Sequence, residues 1–252
     1  MVFESAVSDL VAKVEQVHKS YALGTSPVHV LQGLSLSIAR SELVAVMGPS
    51  GVGKSTLLNC IAGLDVPDRG RIDVLGRDLA TMDDEARTME RRHRIGIIYQ
   101  FFNLVPNLDV EENVMLPYLI DGVTPDMSAV GRCLERVGMQ HRKDHLPAQL
   151  SGGEMQLVSI ARAIVRKPEL ILADEPTGNV NVATGKKIMQ LLRDVLHESR
   201  SAMLLVTHNP EDAARADRVL FLKDGLIDDG DALAGEAVTV GNIHARLQEL
   251  GI

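Results

Sequence analysis

An α/β fold with a parallel-rich core is what this chain predicts, and three stretches carry the prediction. Leu43-Val44-Ala45-Val46-Met47 is a short apolar run of strand type that passes directly into a glycine-rich turn and then into Ser55-Thr56-Leu57-Leu58-Asn59. That order is strand, loop, helix. Leu170 to Ala173 is a second apolar run, too short for a helix and bounded by Pro168 and Pro176, so it reads as a buried parallel strand. Met203-Leu204-Leu205-Val206-Thr207 repeats the buried-strand pattern.

The remaining elements follow in chain order. Strands such as Val28 to Ile38 predict an antiparallel β portion near the N-terminus, and Ile95-Gly96-Ile97-Ile98-Tyr99 is another strand-like run, closed by Gln100. A helical subdomain is expected from about Glu111 to Ile164, its last part, Met155 to Ile164, showing helical periodicity. At 252 residues, with no linker tract, low-complexity run or fixed-period repeat, one domain over 1–252 is expected.

Composition removes several classes of function. No uninterrupted apolar stretch approaches the roughly 20 residues that a membrane helix requires, so the chain is not expected to span a bilayer. Met1-Val2-Phe3-Glu4-Ser5 lacks a basic segment followed by an apolar core, so no secretory signal and a cytosolic location are expected. The net charge of −8 argues against a broad nucleic-acid surface. The basic cluster Arg91-Arg92-His93-Arg94 reads as a solvated turn before a strand rather than a docking patch. Cys60 and Cys133 match no metal spacing and read as reduced structural thiols.

The chemistry lies in three motifs. Gly48-Pro49-Ser50-Gly51-Val52-Gly53-Lys54-Ser55 fits the P-loop pattern, whose glycines let backbone N–H groups curl around phosphates at a helix N-terminus. Lys54 is expected to neutralise β- and γ-phosphate oxygens and Ser55 to give a hydroxyl to Mg²⁺. The second motif ends the 170–173 strand in Asp174 and Glu175, at the carboxyl edge where open α/β sheets place ligands. Asp174 is expected to order the Mg²⁺ shell and Glu175 to polarise the attacking water. Buried carboxylates without a cation are costly, so the pair predicts metal. The third motif, Leu150-Ser151-Gly152-Gly153-Glu154, places Ser151 and the amides of Gly152 and Gly153 at a helix start suited to an anion.

That third motif between a P-loop and an ILADEP segment resembles the ATP-binding-cassette (ABC) ATPases over nearly the whole chain, from about Val14 to Gly225. GPSGxGKSTLLN, QFFNLxPNLxVxENVxLPY, QLSGGE and LADEPTGN are most similar to the MacB/LolD/FtsE group, whose ATPases serve membrane partners. The resemblance implies ATP and Mg²⁺ as ligands. It assigns Gly48, Ser50, Gly51, Gly53, Lys54, Ser55 and Thr56 to the nucleotide, and Gln100 to the Q-loop, touching Mg²⁺ or its water. It makes His208 a switch donor to the γ-phosphate and Tyr21 an aromatic stacked on adenine. It further implies a head-to-tail homodimer in which Ser151, Gly152, Gly153 and Glu154 close on the partner copy's ATP, with Asn181 at the seam.

The expected partner is an integral membrane permease-type subunit docking near 101–118, where Phe102, Leu104, Val105 and Leu108 are too apolar for a free solvent loop. The chain would then be peripheral on the inner face of the cell membrane. Two departures stand out: Asn181 replaces the family's D-loop Asp, and Leu157 stands where a basic residue is usual. They bear on hydrolysis rate rather than on ATP binding. The rival readings are a weakly hydrolysing regulatory cassette and a soluble ABC protein of translation, DNA repair or iron–sulfur assembly.

Overall fold

The computed structural model describes residues 9–23 and 26–252. Two long antiparallel strands, β1 (Leu10–Leu23) and β2 (Ser26–Ala39), open the chain and are followed by β3 (Leu43–Met47), α1 (Lys54–Ile61), β4 (Arg69–Val74) and β5 (Arg77–Asp78). Then come α2 (Asp84–Arg94), β6 (Ile95–Ile98), α3 (Val110–Ile120), α4 (Met127–Arg136), α5 (Gly152–Ile164) and β7 (Leu170–Asp174). The chain ends with α6 (Val182–Ser199), β8 (Ala202–Val206), α7 (Pro210–Ala213), β9 (Arg218–Lys223), β10 (Leu226–Ile227), β11 (Leu233–Ala234) and α8 (Val240–Leu250).

Two sheets result. The smaller is antiparallel in the order β2-β1-β4-β5; the larger has the order β10-β9-β3-β8-β7-β6, with β11 added beside β9. Its central strands β9, β3, β8, β7 and β6 are parallel. Parallel sheets bury both faces, and the alternation of side chains shows it. Val44, Val46, Leu170, Leu172, Leu204 and Val206 join the core shared with α1 and the antiparallel sheet. Their neighbours Leu43, Ala45, Met47, Ile171, Ala173, Met203 and Leu205 join a second core with α6 and α8. A third core, built on Val110, Val114, Val130, Leu134 and Val158, holds α3, α4 and α5 together. Helix α5 also gives Ile160 and Ile164 to the second core, so it bridges the helical part to the sheet.

The basic cluster at 91–94, expected as a solvated turn, is helical, with Arg92 and His93 exposed. It is the last turn of α2, where cations favour the helix dipole. Arg92 and His93 face Asp121 at 3.7 and 2.9 Å, while Arg94 reaches Glu169 at 2.8 Å. Arg91 donates to the carbonyls of Ala62 and Gly63.

Candidate nucleotide site

The P-loop turns between β3 and α1 under tight packing. A Cβ on Gly48 would lie 2.3 Å from the Leu222 carbonyl oxygen, and one on Gly53, at φ 113°, would lie 2.8 Å from Val30. Glycine is required at both positions. Gly51, at φ 80°, has nothing within 4 Å of such a Cβ and leaves the loop's mouth clear. Lys54, 8% exposed, folds back to donate to the Gly48 and Pro49 carbonyls at 2.8 and 2.9 Å. Burial lowers its pKa, with Glu175 and Asp174 opposing. A desolvated ammonium of this kind gains from an incoming polyanion.

Strand β7 delivers the carboxylates. Asp174 accepts the Ser55 hydroxyl at 2.8 Å, and burial raises its pKa, reinforced by the charge of Glu175 and opposed by the Ser55 hydrogen bond. Glu175, 7% exposed, sits at φ 46°, the left-handed region, which turns its side chain off the strand path. Its amide donates to Val206 and its carbonyl accepts from Gly178. Its Oε1 takes the His208 N–H at 3.0 Å and faces Nδ1 at 2.7 Å, while Oε2 accepts from Thr207 Oγ1 at 3.2 Å.

Tyr21, 39% exposed, is fixed by its hydroxyl donating to Asp65 at 2.5 Å and by Lys19 standing 5.2 Å over its ring. A single cleft of about 440 Å³ is lined by Tyr21, Ser50, Gly51, Gly53, Lys54, Ser55, Thr56, Gln100, Asp174, Glu175 and His208. Residues almost 190 positions apart in sequence therefore meet on one surface. The third motif is not in that lining. Ser151 caps α5 in a reciprocal box with Glu154, and Gly152 packs toward Asn179 and Phe102. Asn181 caps α6, its Oδ1 accepting the Thr184 N–H at 2.9 Å. Asn and Asp are equivalent caps, so local structure accounts for this departure. Leu157 packs against the second and third cores, which is an apolar position.

Several residues that support the site were not anticipated from sequence. Arg162 donates to the carbonyls of Phe102 and Asn103, which sit at φ 57° and 49°. The fully buried Asn113 binds both the N–H and C=O of Val105 and the Leu108 and Asp109 carbonyls. Asn179 donates to the Gln100 carbonyl at 2.7 Å. Leu104, expected at the docking surface, is half-buried and packs one side against the third core.

The comparisons agree with this geometry. The ABC transporter family model matches residues 31–178. The chain is 44% identical over 224 residues to the lipoprotein-releasing system ATP-binding protein LolD of Ruegeria sp. (strain TM1040), covering 88% of this chain and 99% of that one. It is 42% identical over 212 residues to the macrolide export ATP-binding/permease protein MacB of Chlorobium luteolum, covering 84% of this chain and 32% of that longer one. Among solved structures, the dimeric ATP-binding cassette MJ0796 in a post-hydrolysis state with ADP and Pi superposes at a TM-score of 0.80, with 38% identity over 86% of this chain and 96% of that one. The chain belongs to the ABC transporter family, as an ATP-binding and ATP-hydrolysing subunit.

Proposed function

We propose that two copies of this chain, arranged head to tail, hydrolyse Mg-ATP and use the closure to drive an integral membrane permease-type subunit in lipoprotein release, efflux or related export. The observation that carries the reading is the cleft shared by the P-loop, Gln100, Asp174, Glu175, His208 and Tyr21. A soluble role outside transport has no comparable support, since the relatives by name release lipoproteins or export macrolides.

The donor set fits Mg²⁺. Ser55 and Asp174 are already 2.8 Å apart, and the described residues hold no cluster of three or more His, Cys, Asp or Glu. Mg²⁺ commonly takes one or two protein oxygens and fills its shell with water and phosphate. Ser55, Asp174 and the Gln100 amide oxygen would hold it, and it would supply charge neutralisation. Lys54 would leave its carbonyl partners for β- and γ-phosphate oxygens, while P-loop amides cradle the chain of phosphates. Glu175 would orient the attacking water, and His208 would donate to the γ-phosphate, positions secured by their mutual contact. Tyr21 offers adenine a face held rigid by Asp65. Ser151, Gly152, Gly153 and Glu154, outside the cleft, would serve the second copy's nucleotide.

The docking surface is best drawn as a groove of about 420 Å³ between α2 with β6 and α3 with α5, lined in part by Tyr99, Asn103, Leu116, Pro117, Ile120 and Arg162. Leu116, Pro117 and Ile120 give it apolar contacts for a short helix, and Arg91, Arg92, His93 and Arg166 add a basic side. No helix among the described residues is long and apolar enough to cross a membrane, which suits a peripheral subunit on the cytoplasmic face. The test of the site is nucleotide titration of Lys54→Ala. Hydrogen bonds to a charged group contribute roughly 1.5–3 kcal/mol, so affinity should fall about 10- to 100-fold. Unchanged affinity would overturn the assignment.

A further inference from the structure

Asp212 on the short helix α7 is 5% exposed, and no step above uses it. Its carboxylate accepts from the Thr177 hydroxyl and, at 3.2 Å, from Asn209 Nδ2. Thr177 lies two residues beyond Glu175, and Asn209 directly follows His208. The Asn209 N–H donates to Thr207 Oγ1 at 3.0 Å, and that hydroxyl donates to Glu175 at 3.2 Å. The contacts, with the chain from Glu175 to Thr177, thus close a ring through Glu175, Thr177, Asp212, Asn209 and Thr207, and the exposed His208 is tied to it at Glu175. Gly185 of α6 lies close to Thr177 on another side, where an added Cβ would stand 3.4 Å from the Thr177 Cβ.

We propose that Asp212 is a positioning residue for ATP hydrolysis. By clamping Thr177 to Asn209 it makes the segment 175–181, which ends at the cap of α6, move as one body with the segment carrying His208. Arrival of the second copy at 177–181 is then felt at the Glu175 carboxylate. The inference rests on the two-copy reading above. A buried carboxylate with two neutral donors is an expensive way to tie two turns: burial raises its pKa, opposed by the Thr177 hydrogen bond, the charge of Arg215 and the Asn209 hydrogen bond, with Glu175 adding the smallest push upward. Charged acceptors make the stronger and more directional bonds, which suits a joint that must transmit position.

The experiment measures kcat, KM and the Hill coefficient of ATP hydrolysis for Asp212→Ala, Thr177→Val and the double variant, with Asp212→Asn and Thr177→Ser as conservative rescues. Each single variant should lose about tenfold in kcat, the worth of one charged hydrogen bond. KM should stay within about twofold, the Hill coefficient should fall toward one, Thr177→Ser should recover most of the rate, and Asp212→Asn, which keeps an acceptor oxygen without the charge, should recover part of it. The double variant should be no worse than the poorer single one, because the two residues form one contact. Wild-type kcat in the single variants, multiplying losses in the double, or parallel loss of nucleotide affinity would overturn the proposal. Thr177→Val removes a single hydroxyl and keeps the test open if Asp212→Ala does not fold. Lys54→Ala and Glu175→Gln run alongside: if they retain turnover, the site reading itself fails and takes this proposal with it.

Discussion

Glu175→Gln separates chemistry from architecture in this cleft. The wild-type carboxylate accepts from His208 N, His208 Nδ1 and Thr207 Oγ1 at 3.0, 2.7 and 3.2 Å. A glutamine carbonyl can keep both His208 contacts. Its NH₂ would then face Thr207 Oγ1, a hydroxyl with two lone pairs of which the Asn209 N–H takes one. One hydrogen bond reverses direction and none is lost, so stability should change by no more than about 1 kcal/mol. The left-handed backbone at φ 46° suits Gln no worse than Glu. Turnover is a different matter, since positioned proton acceptors contribute typically 10²–10⁴-fold to rate. Steady-state phosphate release should fall by that factor, while ATP affinity holds and light scattering in saturating Mg-ATP shows a stable dimer. Turnover above a tenth of wild type would refute Glu175 as the group that orients water. Monomers at saturating Mg-ATP, with the membrane partner supplied, would count heavily against the two-copy arrangement.

Three further outcomes follow from the same geometry. Asp174 has its folded-state pKa raised, so its proton-bound form contributes stability below the ordinary carboxylate range, and that contribution is lost as pH rises through the raised value. Asp174→Asn should therefore raise the Tm of the nucleotide-free chain at pH 7, with the gain shrinking in acid, and should weaken Mg-ATP binding; a lower Tm at pH 7 would contradict the sign. Asn181→Ala should cost about 1 kcal/mol through the lost cap on α6, and Asn181→Asp should leave denaturant midpoints nearly unchanged and turnover little altered; a large shift in either direction for Asn181→Asp would show a second role for the amide. Ile120→Asp, at an apolar position of the groove that is 52% exposed, should abolish co-purification with the membrane subunit while sparing nucleotide affinity, whereas Leu104→Asp should lower thermal stability because Leu104 packs into the helical core. Normal co-purification of Ile120→Asp would move docking elsewhere.

What was legible in the sequence was whatever a local pattern encodes. The strands β3, β7 and β8 were readable because both faces are buried, which forces short unbroken apolar runs, and the P-loop was readable because its glycines answer contacts of 2.3 and 2.8 Å. The cluster at 91–94 was misread for the opposite reason. Apart from Glu90, four residues before Arg94, its partners Asp121 and Glu169 lie 28 or more residues away, and a charge run carries no mark of them. The role of Asn181 as a cap depends on where α6 begins, which the comparison of its residue type with the family's Asp does not consult. The partial burial of Leu104 against the third core is not visible from one loop, because that core is assembled from three helices.

The placement of the third motif shows how one chain could carry a signal between its two surfaces. Asn179 donates to the Gln100 carbonyl at 2.7 Å, and its own carbonyl oxygen lies 3.4 Å from where a Cβ on Gly152 would stand; Phe102 lies 3.7 Å from the same point. Phe102 and Asn103 are both in the left-handed region, and Arg162 holds both of their carbonyls while also lining the docking groove. Non-glycine residues in that conformation persist when their surroundings over-determine them, and these two are clasped by a single guanidinium. A nucleotide arriving at Ser151 to Glu154 from the second copy would press on Asn179 and Phe102 together. Any displacement there reaches Gln100 on one side and the groove through Arg162 on the other. Gln100 lines the cleft and Asn103, three residues on, lines the groove, so the short segment between them is where a change in bound phosphate would become a change in the shape offered to a membrane partner.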